Sequence, residues 1–180
     1  MLQVTNRPKP EIQGALWDFA QGYANLKQGK TDAARPYLEN VQKLAETSKA
    51  AFRGHSAKNL LGITGGILQG EMLRMSGDLP GAIKALETAA ALQEGLEYDE
   101  PQPLPFAAHH WLGAVLIEAK EFERAEKVYR TELKMHPHNG WSLLGLQQAI
   151  KAQGKTDAAV DADLAKSWSR SDTWIKSSRF

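Results

Sequence analysis

Histidines and carboxylates are the groups in this sequence with chemistry to offer. His109 and His110 open a run of helical periodicity just after the acidic stretch Tyr98-Asp99-Glu100, and His136 and His138 flank Pro137. A neutral imidazole beside a carboxylate is a common metal-binding pair, so His110 with Glu100 forms one candidate metal or small-ligand site. Adjacent helical residues diverge by roughly 100°, so one ion does not take both His109 and His110. None of the strong ligand spacings is present. His136 and His138, where a helix is expected to end, suit its negative carboxyl end.

Three other patterns lack the setting their chemistry needs. Gly29-Lys30-Thr31 and Gly154-Lys155-Thr156 end like phosphate-binding loops, but Ala24 and Ala149 stand where such a loop needs its first glycine. They read as turns between helices, with Thr31 capping the next helix. Gly54-His55-Ser56 starts like a nucleophile elbow without its second glycine or its strand–turn–helix context. Asp161 and Asp163, two residues apart, point to different sides of a helix and read as a solvated face. No nucleophile–base arrangement emerges, so no catalytic residue and no cofactor is assigned.

Composition narrows the classes further. The chain has 180 residues, 42% hydrophobic and 24% charged, which fits about one domain or one repeat array. Lys and Arg number 22 against 21 Asp and Glu, which leaves no excess positive field to hold a nucleic acid. With no cysteine, thiol catalysis, disulfides and thiolate metal sites are excluded. No run approaches the roughly 18 apolar residues of a membrane span, and Met1–Gly14 lacks the apolar core of a signal peptide. A soluble protein is expected, with the cytoplasm favoured over an exported location.

The elements that must position these groups come from self-similarity. Gln28–Ala34 and Gln153–Ala159 are the same heptapeptide, QGKTDAA. Around it Gly22, Gly29, Ala34 and Leu38 are spaced 7, 5 and 4 apart, and Gly70, Gly77, Ala82 and Leu86 repeat those intervals. Gly113, Lys120, Ala125 and Tyr129 do so again, while Gly145, Gly154 and Ala159 keep the last interval and stretch the first by two. Each set reads as two helices joined by a short turn. Gly29 and Gly77 suit a left-handed residue ending a helix, and Asp78 suits a cap. Small residues at Gly22, Gly70, Gly113, Ala34, Ala82 and Ala125 allow close helix approach. The expected fold is all-α, with units at about 11–48, 58–96, 106–137 and 138–170 in a single domain over 10–180. Residues 1–9 are expected to be a disordered extension. Long connections are expected near Thr47–Lys58 and Gly95–Phe106; the second holds three prolines in five residues and cannot be helical.

This pattern resembles the tetratricopeptide repeat, written W-x2-L-G-x2-Y, then Ala, Phe and Pro within about 34 residues. The third unit matches best, through Leu112-Gly113, Leu116, Ala125, Tyr129 and Pro137, with His109 in place of Trp. The segments YDEPQPLPFAAHHWLGAVL, AEKVYRTELKMHPHNGWSLLGL and SWSRSDTWIKSSRF also resemble the carboxyl-terminal part of larger bacterial tetratricopeptide proteins of undefined role. That likeness suggests a fragment or a shortened member of such a protein.

The resemblance implies a right-handed superhelical solenoid of about four antiparallel helix pairs, whose first helices line a concave groove. By register, the groove positions include Phe19, Tyr23, Ile67, Glu71, Arg74, His110 and Ile117. The implied function is a non-catalytic interaction module taking a peptide or partner protein there. The cation–amide clamp for chaperone tails found in other members is not expected, because these positions lack its donors. The Pro-rich loop at Tyr98, Asp99 and Glu100 is a second candidate surface that can fold back over the groove. The tryptophans read as packing residues. Trp174, Ile175 and Phe180, in the tail 171–180, are expected to seal the open end of the array.

Overall fold

The computed structural model describes residues 4–180, and among them every substantial element is helical. The helices are α1 (Glu11–Lys27), α2 (Thr31–Thr47), α3 (Ala57–Met75), α4 (Leu79–Glu94), α5 (Ala108–Glu118), α6 (Phe122–Met135), α7 (Gly140–Ala152) and α8 (Ala158–Ser167). The all-α expectation holds, apart from a minimal hairpin of β1 (Ala51–Phe52) and β2 (His55–Ser56) in the first long connection. Arg53 and Gly54 turn that hairpin with positive φ. Where the sequence reading expects one domain over 10–180, the chain falls into two compact units, Met1–Ala108 and His109–Phe180.

One turn is used four times. Gly29, Gly77, Lys120 and Gly154 all have positive φ, between 62° and 87°. The N–H of each bonds a carbonyl three residues back, and the next residue's N–H bonds one five residues back, as in Lys30 to Asn25 and Asp78 to Leu73, both at 3.0 Å. These paired bonds satisfy the last carbonyls of α1, α3, α5 and α7. A left-handed residue closes them most cheaply as glycine, and Lys120 adopts the same conformation with a side chain. Asp78 caps α4 by accepting from the Gly81 N–H at 2.9 Å, as expected. Thr31 does not cap α2, because the helix begins one residue earlier than the hydroxyl requires and Lys30 takes the cap position. Before α8 that role falls to Asp157, which accepts from the Ala159 and Val160 N–H groups.

The small-residue register is a packing code. A Cβ on Gly70 would meet Leu86 at 2.6 Å, and one on Gly113 would meet Tyr129 at 2.3 Å. In both hairpins the residue pressed on the glycine lies 16 positions later, the sum of the 7, 5 and 4 spacing. Ala34, Ala82 and Ala125 are buried at the matching sites. In the fourth hairpin, where the spacing stretches, Ala159 is exposed and Val160 is buried instead.

Within Met1–Ala108, α2 packs on α1 and α3, α1 also meets α3, and α4 packs on α3. Residues 4–9 form no helix, and of the segment expected to be disordered 1–3 lie outside the described residues. Arg7 nevertheless grips the buried Asp18 at 2.8 Å, and the Val4 carbonyl accepts from Trp17 at 3.1 Å and Gln21 at 2.9 Å. Within His109–Phe180, α6 packs on α7 and α7 on α8. The ring of Tyr129 on α6 is enclosed by Gly113 of α5 and Gly145 of α7.

Candidate functional site

The groove positions expected from the register are mostly interior. Phe19, Tyr23, Ile67, Glu71 and His110 are all buried, and Arg74 and Ile117 are half-buried. They do not line an open groove, which corrects that expectation. In the first unit the reason is local. Phe19 packs against Tyr23 at 5.9 Å between ring centroids and against Phe106 at 5.6 Å. Phe106 arrives at the end of the Pro-rich connection and is held there by Gln93, whose side-chain amide donates to the Phe106 carbonyl at 3.1 Å and whose oxygen accepts from the Ala108 N–H at 2.6 Å. Glu71, only 1% exposed, meets Arg74 at 3.1 Å one turn along its own helix.

The loop candidates divide. Tyr98 is 85% exposed, and hydrogen bonding to Glu100 raises its hydroxyl pKa. Asp99 is drawn inward as an ion-pair partner of Arg53, with His55 Nε2 at 3.4 Å, while Arg53 also donates to the Glu100 carbonyl at 2.7 Å. The minimal hairpin therefore clasps this loop.

His110 is placed by α5 so that its ring stacks near Trp141, 6.4 Å between centroids. The carboxylate facing it is Glu132, with His110 Nε2 3.8 Å from Oε1. Glu132, at 0% exposure, receives the Ser142 hydroxyl on Oε2 and lies 2.7 Å from His136 Nδ1. His138, by contrast, is exposed and meets Asp163 at 3.5 Å. Within this buried cluster the Ser142 hydroxyl is committed to the Glu132 carboxylate. Among the described residues no three His, Asp or Glu groups converge to hold a metal ion.

Burial is the main cause that pushes His110 down to about 4, with the charges of His109 and His136 adding to it. An unfolded imidazole titrates near 6.5, so as pH falls the unfolded chain takes this proton first and folding weakens between about 6.5 and about 4. Above that window the contribution is fully present. His110→Gln should remove about 2 kcal/mol of the stability difference between pH 7.5 and pH 5, read from urea midpoints of both proteins at each pH.

The face of the second unit is occupied by the chain itself. Residues 171–180 form neither helix nor strand. Ser178, which is buried, donates to the His110 carbonyl at 2.7 Å. Its single proton is thereby committed, so the Tyr129 hydroxyl donates to Ser178 Oγ at 2.6 Å; burial raises the Tyr129 pKa strongly. Arg179 pairs with Glu118 of α5. Phe180 stands edge-on to Trp111 at 4.8 Å and to Trp141 at 6.3 Å. Upstream, Gln148 of α7 donates to the Lys176 carbonyl at 2.9 Å. Of the residues expected to seal the array, Trp174 is instead 77% exposed and only Phe180 meets the aromatic core. Sequence periodicity missed Ser178, Arg179, Glu132 and Ser142, because none belongs to an apolar stripe or a known ligand spacing.

A concavity of about 330 Å³ lies over Leu143 and Leu146, between Arg130 and Lys134 on α6 and Asp157 and Asp163 beside or on α8. Arg130 and Asp157 already pair at 3.3 Å, so its charges largely satisfy one another.

No protein-family model matches the chain, and no curated protein is similar enough to it to assign a family. No helix is long and apolar enough to cross a membrane among the described residues.

Proposed function

We propose that the chain is a non-catalytic interaction module of the tetratricopeptide kind, which binds an extended segment of a partner protein on the face made by α5 and α7. The observation that carries this reading is the non-helical segment Lys176–Phe180 seated on that face through hydroxyl, cation and aromatic anchors. A surface that holds one non-helical segment of chain by side-chain anchors and a backbone carbonyl has the means to hold another. The four identical turns and the glycine contacts support the repeat assignment, and with it a solenoid of four hairpins. The site moves from the register positions Phe19, Tyr23, Ile67, Glu71 and Arg74 to the second unit, where His110 contributes its carbonyl and α5 its exposed Glu118.

The test is a selection of random 12-residue peptides displayed on phage, run against the intact chain and against a chain ending at Arg170. Enriched peptides should bind with at least roughly tenfold lower affinity once Trp141→Ala removes an aromatic wall. If neither form enriches any peptide over a folded helical control, the reading fails.

A further inference from the structure

The seated segment also describes what the face selects. Ser178 fits a buried position where two groups converge on one small hydroxyl: the His110 carbonyl accepts its proton and the Tyr129 hydroxyl donates to its oxygen. Alanine there leaves both of those groups unmet. The following residue meets the carboxylate of Glu118, which calls for a cation. The next stands nearly perpendicular to two indoles, which calls for an aromatic ring. These are consecutive positions of a non-helical segment that bends at 176–178, and each is read by a different side chain of the helices.

We propose that Lys176–Phe180 is an intramolecular ligand, and that the partner recognised here is a non-helical peptide bearing the same chemistry: a small hydroxyl residue, then a cation, then an aromatic, in consecutive positions. The inference rests on the proposed function and adds the ligand class and the competitor. The segment is held at its buried serine, while Phe180 is 46% exposed and covers the fully buried Trp111, so the wall opens to a competing peptide when Phe180 lifts off. A tethered ligand acts at an effective concentration in the millimolar range, so an untethered peptide of equal intrinsic affinity binds the intact chain weakly.

A fluorescein-labelled peptide of residues 171–180 is titrated against the chain ending at Arg170, whose folding is checked by circular dichroism. Saturable binding is expected, weakened roughly tenfold by Ser178→Ala or by Phe180→Ala in the peptide. The intact chain should bind the same peptide on the order of a hundredfold more weakly. Glu118→Lys should weaken binding of the natural peptide and restore it for a peptide carrying Arg179→Glu, a rescue that loss of folding does not produce. A folded shortened chain that ignores the peptide, or that binds a scrambled sequence equally, overturns the proposal. If the shortened chain does not fold, the titration uses the full chain carrying Arg179→Glu with Phe180→Ala. There a gain of at least roughly tenfold over the unaltered chain supports the proposal, and no gain overturns it. Peptides enriched from the random library alongside failure of the 171–180 peptide would leave the interaction reading standing and remove only the intramolecular ligand; failure of both would remove both.

Discussion

Gly145→Ala is expected to destabilise His109–Phe180 by about 3 kcal/mol, at the upper end of the cost of overpacking a core. The added Cβ would stand 2.1 Å from Tyr129 Cζ and 2.4 Å from Cε1. Such a clash is usually relieved by a small shift of the neighbour, but here the ring has nowhere to go. On its other side Gly113 already presses it, with a hypothetical Cβ 2.3 Å from the same Cζ. The hydroxyl is tied to Ser178, which is tied to His110. Moving the ring off one helix drives it into the other or breaks the hydrogen-bond chain to the seated segment. Gly113→Ala should therefore cost a similar amount. Adding Tyr129→Leu to Gly145→Ala should recover part of the loss, because the shorter side chain vacates the contested space. Gly65→Ala is the control: its nearest neighbour would be Val41 Cγ1 at 3.3 Å, and a shift of well under about 1 kcal/mol is expected. Urea unfolding followed by tryptophan fluorescence reads both variants, since Trp111, Trp141, Trp168 and Trp174 lie in the second unit with Gly145 and Trp17 lies in the first with Gly65. Equal midpoints for Gly145→Ala and Gly65→Ala would refute the enclosed-ring account.

Glu132→Ala is expected to cost about 3 kcal/mol, with Glu132→Gln losing about a third of that. The carboxyl lies wholly inside the protein and organises three side chains, His110 on α5, His136 just past the end of α6 and Ser142 on α7. Truncation strips the buried Ser142 hydroxyl of its acceptor and leaves a void, and both effects destabilise. Glutamine keeps the volume, still accepts from Ser142, and offers an N–H to His136, so most of the network survives. Ser142→Ala alone should be milder than Glu132→Ala, because it deletes one bond and no large volume. The ordering Glu132→Ala, then Ser142→Ala and Glu132→Gln together, is what thermal melts at pH 7.5 should return. A melt of Glu132→Ala indistinguishable from the unaltered protein would mean that the cluster is ornamental.

Much of the helical design is readable along the chain. The intervals of 7, 5 and 4 residues between small positions place a left-handed turn after the first helix and a large side chain on the glycine of that helix, and Gly70 with Leu86 and Gly113 with Tyr129 meet as that spacing requires. Lys120 shows the limit of reading by residue type: the backbone repeats the turn although the glycine is gone. The hairpin at Ala51–Ser56 was not legible, because two-residue strands carry no periodicity and its pairing is supported by Arg53 reaching Asp99, 46 positions away in sequence.

What the amino-acid order determined by itself is local and periodic: which segments are helical, where each turns, and which small residues admit a neighbouring helix. Those properties follow from backbone geometry and side-chain volume within a few turns of chain. Only the tertiary structure decided which of these faces remain exposed. Phe19 reads as a groove residue until Phe106, 87 positions on, packs against it. Ser178 reads as an unremarkable tail residue until it is buried between Tyr129 and the His110 carbonyl, 68 positions earlier. Contacts at such separations depend on where the intervening helices bring the chain, and no pattern of neighbouring residues encodes them. The physical reason is that exposure belongs to the folded whole: a side chain's partners are chosen by proximity in space, which the sequence specifies only through the fold.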